Sequence, residues 1–162
     1  MRILSMALAL ALLGTAGAAS AQSQTDDLNI QLELVNECYM IVEDYSGNMT
    51  GLTPTQNSAG RNISVMCNLD TPYTVEIAQG ANFGLGSRAG TRALSDGTGN
   101  FISYDVWSGG GYTVPWATGS DAVAGVGTGA FTAHAYNLSF YDGNLAPGGI
   151  YADNALVTLT YN

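Results

Sequence analysis

The chain has 162 residues, 10% of them charged and 46% hydrophobic, with 21 glycines and no lysine. Four basic residues (Arg2, Arg61, Arg88 and Arg92) stand against thirteen carboxylates, and the formal net charge is −9. That balance excludes intrinsic disorder, which goes with few apolar residues and much charge. It also leaves no basic face for nucleic acid or an anionic membrane surface, and no amine for a Schiff base or an isopeptide cross-link.

Met1 and Arg2 precede an almost wholly apolar run over residues 3–19, and Ala19-Ser20-Ala21 supplies the small residues that signal peptidase accepts. Residues 1–21 are expected to be a cleaved secretory signal. The run is short for a permanent span and lacks a basic stop-transfer flank, so no transmembrane anchor is expected in the mature chain. Export to an oxidising compartment leaves Cys38 and Cys67, the two cysteines of the chain, to pair with each other. Closing a loop of about 30 residues stabilises by roughly 3–4 kcal/mol in the chain-entropy view. Two cysteines and the single His134 are too few ligands for a metal site, and no cofactor is expected.

After residue 21, helical periodicity is nearly absent. Period-2 alternation broken by Gly, Asn, Asp and Pro predicts antiparallel strands. Leu28, Ile30, Leu32 and Leu34 alternate cleanly with Asn29, Gln31 and Glu33 in the first. Residues 38–42 form a second. In a third, Ile63, Val65 and Cys67 share a face, and in a fourth Tyr73, Val75 and Ile77 do so. Residues 101–107 predict a fifth, with Ile102, Tyr104 and Val106 inward, and Tyr136, Leu138 and Phe140 mark a sixth. The seventh covers residues 155–161, with Val157, Leu159 and Tyr161 on one face. Residues 46–60, 79–99, 108–129 and 142–149 read as turns, and the glycine-rich stretch 108–129 is expected to remain a loop that does not pack.

Short strands at this spacing predict a single all-β domain, a β-sandwich. Two features do not suit an ordinary one. The chain stops at Asn162 directly after a strongly patterned strand, and an amphipathic strand, residues 28–34, stands ahead of the first cysteine behind a polar stretch. One strand is missing at the end and one is spare at the beginning. The spare strand could equally pair within its own domain. Trp107, Trp116, Tyr104 and Tyr112 could line a sugar-binding face, although packing is the commoner use of such rings. No hydrolase elbow and no carboxylate pair in a glycosidase setting occurs, so no enzyme is expected.

The finer motifs are Ile63-Ser64-Val65-Met66-Cys67, Thr71-Pro72-Tyr73-Thr74-Val75 with Gly80-Ala81-Asn82, and Arg92-Ala93-Leu94. Ile102-Ser103-Tyr104-Asp105-Val106-Trp107 and Pro147-Gly148-Gly149-Ile150-Tyr151-Ala152-Asp153 follow. In this order the chain resembles the spore coat protein U domain family, which includes subunits of archaic chaperone–usher pili. Departures fall at residues 45–51 and at Ala152, Asn154 and Ala155. The resemblance implies a secreted pilus subunit with an immunoglobulin-like sandwich that lacks its final strand (residues 36–162), preceded by a donor-strand extension (residues 22–35). Leu28, Ile30, Leu32 and Leu34 would fill a neighbour's groove, so that the partner is another copy of the chain. A periplasmic chaperone would cover that groove first, an outer-membrane usher would drive the exchange, and the product would be a surface fibre for adhesion or biofilm. Val157, Leu159 and Tyr161 would form the groove edge the chaperone docks on, and Gly149 stands where some subunits carry a glycine read by the chaperone. The alternative is a monomeric secreted sandwich that binds a glycan or a surface.

Overall fold

Alternating apolar residues can bury one face of a strand only if a second sheet covers it, and this requirement organises the molecule. The computed structural model describes residues 22–50 and 52–162; the expected signal segment lies outside the described residues. The chain divides into one unit ending at Glu33 and a second unit, Leu34–Asn162.

Residues 22–33 enter no strand. Leu28, Ile30 and Leu32 are 84%, 84% and 88% exposed, as is Leu34 at the start of the second unit at 78%. The alternation predicts a strand here, but a strand requires hydrogen-bonding partners along its edge, and among the described residues no strand pairs with these.

The second unit contains β1 (Cys38–Val42), β2 (Thr55–Cys67), β3 (Pro72–Ile77), β4 (Arg92–Ser95), β5 (Phe101–Ser108), β6 (Val123–Val126), β7 (Thr132–Tyr141) and β8 (Val157–Tyr161). A five-stranded sheet has the order β1-β2-β7-β5-β4 and a three-stranded sheet the order β6-β3-β8, with every pairing antiparallel. The core lies between them. Ile63 and Val65 of β2, Ile102, Tyr104 and Val106 of β5, and Tyr136, Leu138 and Phe140 of β7 meet Tyr73, Val75 and Ile77 of β3. These are the inward faces that alternation predicts. Among the described residues no helix is long and apolar enough to cross a membrane.

Three strands exceed or escape the sequence pattern. β2 begins at Thr55, inside a stretch expected to be turn, because the polar run 55–59 is held by register against β7 rather than by its own alternation. The register shifts between Ala59 and Asn62, where Gly60 has no room for a Cβ against the Tyr136 carbonyl. β4 lies in a second expected turn. The third is the glycine-rich stretch 108–129, and here the expectation of an unpacked loop is corrected. Trp116 is fully buried, its Nε1 donates to the Val75 carbonyl at 2.9 Å, and its backbone N–H donates to the Val106 carbonyl at 2.9 Å. β6 then pairs with β3. One tryptophan able to bury a large ring and satisfy its N–H anchors a segment whose glycines suggest none of this.

Candidate assembly groove

Among the described residues, β1 and β8 are edge strands of different sheets, each paired on one side only. They run in opposite senses and are tied at one end, where Asn36 Nδ2 donates to the Asn162 carbonyl at 2.8 Å, but no ladder joins them. Register fixes which side chains face inward. Cys38, Met40 and Val42 stand opposite Cys67, Val65 and Ile63 of β2. Val157, Leu159 and Tyr161 stand opposite Ile77, Val75 and Tyr73 of β3.

The two sets differ in burial. The six residues on β2 and β3 are all buried. Their six partners on the edges are not: Cys38, Met40, Val157 and Leu159 are half-buried against the core, while Val42 and Tyr161 are about 40% exposed at 40% and 39%. Tyr161, expected inward, therefore lines an uncovered border. Between two sheets whose interiors are closed, this is an open apolar slot flanked by two unpaired strand edges.

Cys38 and Cys67 are disulfide-bonded and directly paired in the β1–β2 register. The bond ties the edge strand β1 to β2, its neighbour in the sheet. Alternation in residues 38–42 was legible, but the position of Met40 and Val42 on an edge strand was not, because an edge strand carries the same pattern as an interior one. Gly149 is not on β8. It lies exposed in the connection after β7, three residues before Ala152, which bridges to Ser95 at the β4 edge on the far side of the five-stranded sheet.

At that far side four of the recognised motifs converge. Arg92 is buried; its Nε donates to the Ala78 carbonyl at 2.9 Å, and its Nη2 to the carbonyls of Ile77 at 2.7 Å and Trp116 at 3.1 Å. Burial lowers the guanidinium pKa, and Tyr104, Asp105 and Asp153 act against that shift. Asp153 accepts from Tyr104 Oη at 2.9 Å, from the Ala81 N–H at 3.0 Å and from Asn82 Nδ2 at 3.2 Å. Burial and the Asp153 carboxylate push the Tyr104 hydroxyl pKa up. Gly80 has φ +80° and a Cβ there would collide with the same carboxylate. The cluster is a clamp that ties β4 and β5 to the loop after β3. Tyr104 and Trp116 are core residues, while Trp107 and Tyr112 are half-buried.

His134 projects from β7 onto the core, its Nε2 2.8 Å from Tyr73 Oη and its ring edge-on to Trp116. Desolvation lowers its pKa. The unfolded chain, with an ordinary histidine pKa of ~6.5, therefore binds the proton more readily than the native one, so stability rises with pH in this window. The contribution is complete above ~6.5 and is lost as pH falls toward the native value. The imidazole resonances should titrate below the free-histidine midpoint, and the melting temperature should fall over the same interval. His134→Gln, which keeps an acceptor for Tyr73, should flatten that dependence; an unchanged dependence would exclude His134 as its source.

The family model of the Spore Coat Protein U domain matches residues 24–158. A comparison with curated proteins finds no match. Among solved structures, the chain is similar to a chain in the crystal structure of the CsuC–CsuE chaperone–tip adhesion subunit pre-assembly complex, from archaic chaperone–usher Csu pili of Acinetobacter baumannii. The TM-score is 0.57 at 16% identity, over 77% of this chain and 39% of that one. The likeness extends to the immunoglobulin-like sandwich; the chain spans well under half the length of its structural relative.

Proposed function

Because the chain belongs to the Spore Coat Protein U domain family, we propose that it is a structural subunit of a chaperone–usher pilus, polymerised when residues 28–34 of one copy fill the slot between β1 and β8 of the next. The observation that carries this reading is the burial contrast across the slot, where buried residues on β2 and β3 stand beside half-buried or exposed partners on β1 and β8. The occupant that fits is an extended segment with apolar side chains at alternate positions, and Leu28, Ile30, Leu32 and Leu34 are such a segment, exposed in their own chain.

The physics matches in length and in energy. Seven residues span roughly 23 Å as a strand, enough to run the five residues of β8 and beyond. Main-chain hydrogen bonds satisfy the open edge and alternate side chains fill the slot. Burying four such side chains contributes on the order of 6–12 kcal/mol as an upper estimate, comparable with the stability of a whole domain. An open slot is an aggregation hazard until filled, so a periplasmic chaperone that covers it and an outer-membrane usher that exchanges it for the donor segment belong to the same reading. The route runs through the periplasm to the cell surface, and the role is structural rather than enzymatic.

Mature chain purified under native conditions should give a ladder of multiples on gels run without heating. A synthetic peptide of residues 22–35 in excess should collapse the ladder to monomer, because it occupies the slot without offering one. A ladder indifferent to the peptide, or a monodisperse monomer throughout, would count against the proposal.

A further inference from the structure

We propose that cleavage of the exported chain after Ala21 makes Gln22 its first residue, and that Gln22 then closes into a pyroglutamyl ring, leaving the mature chain without a primary amine. The proposal rests on export, which is part of the reading above, and not on donor-strand exchange.

The cleavage position follows from Ala19-Ser20-Ala21, whose small side chains a signal peptidase accepts, so the bond cut is the one before Gln22. A glutamine at a free terminus carries its own electrophile. The α-nitrogen attacks the side-chain Cδ, a five-membered lactam forms, and the carboxamide nitrogen leaves as ammonia. One C–N bond forms and one breaks, with no oxidant, reductant or second substrate. The short tether between the two groups supplies the rate, as in other intramolecular reactions. The nucleophile is the neutral amine, and an α-amino group with an ordinary pKa of about 8 is neutral in roughly a tenth of chains at pH 7.

The fold does not oppose the reaction. Gln22 and Ser23 are exposed and belong to no strand. Among the described residues, the first hydrogen bond along the chain is the one that the Asp27 N–H donates to Asp26 Oδ1 at 2.9 Å. Nothing there holds the Gln22 backbone or its carboxamide away from ring closure.

Composition gives the ring its consequence. The sequence contains no lysine, so the α-amine is the sole primary amine of the mature chain, and closing the ring removes the group from which an aminopeptidase starts. Residues 22–33 enter no strand, and an exposed terminus of this kind is where proteolysis concentrates. The ring therefore guards residues 28–34 from stepwise trimming before they are used.

Full-length protein recovered from the periplasm without heating provides the test. Its intact mass should be that of residues 22–162 less one ammonia, and an amine-reactive ester should label none of it, even when denatured. Gln22→Ser should take one label per chain, and a broad-specificity aminopeptidase should trim it while leaving the unsubstituted protein intact. A mass that retains the ammonia, a first residue other than Gln22, or a label on the unsubstituted chain would overturn the proposal. Equal trimming of the two proteins would overturn the protective role. The gel ladder reports on the donor-strand reading separately, because residues 28–34 are the same in both proteins.

Discussion

Ile30→Asp is expected to abolish the ladder and the fibres while leaving the variant able to fold and to receive a donor segment from another copy. Ile30 lies near the middle of residues 28–34 on the apolar face, so its side chain would enter the slot midway between its ends. A carboxylate there has no charged partner, and its desolvation costs several kcal/mol beyond the lost burial of the isoleucine. That is a large share of what the segment contributes. The variant's own slot is untouched, so mixed with wild type it should cap chains at one end and shorten the ladder. Asn29→Asp, on the polar side of the same strand, changes charge equally and should assemble normally. If Ile30→Asp polymerises as well as wild type, or if the isolated variant loses its fold, residues 28–34 serve their own domain and the assembly mechanism fails.

The largest expected effect on folding falls at Arg92. Three main-chain carbonyls, of Ile77, Ala78 and Trp116, depend on its guanidinium. Arg92→Met keeps much of the volume and removes every donor, leaving polar groups unsatisfied between the sheets. The loss should be roughly 3–5 kcal/mol, read as a lowered urea midpoint of the slot-filled form. Arg92→Lys should recover only part of it, because one ammonium cannot reproduce a planar fork that reaches three acceptors. A midpoint within experimental error of wild type for Arg92→Met would mean that other donors or water serve those carbonyls.

The contrast between these two residues shows what the sequence discloses. Residues 28–34 were conspicuous because alternation is a local signal, and the inward faces of β3, β5 and the second half of β2 followed from the same rule. Arg92 was visible only as part of a family motif in a stretch of turns. Nothing local distinguishes a guanidinium that crosses between sheets from one on the surface, since its three acceptors come from two distant segments. β6 and the packing of Trp116 were missed for a related reason: four residues that include Gly125 carry too little pattern, and their strand exists because β3 has an edge to offer. The first half of β2 is polar and becomes strand through β7. The slot itself is a property of two edges that meet from opposite ends of the chain, and no window of sequence contains both.

In a fibre built as proposed above, the cross-strand disulfide would bear on how tension is carried. Pull transmitted along a donor segment enters the next body at Asn36 and Glu37 and reaches β1 at its first residue, Cys38. Hydrogen bonds alone would let an edge strand peel from that end, one rung after another. Here the first rung is covalent, so load passes directly from Cys38 to Cys67 and into β2, whose thirteen residues are anchored to β7 along a long ladder. At the other junction a donor segment lying along β8 is loaded lengthwise, with its backbone hydrogen bonds strained together rather than in turn. The weakest link under load is then the non-covalent junction between subunits rather than the wall of the slot, and reducing the disulfide should move the point of rupture from the junction to β1.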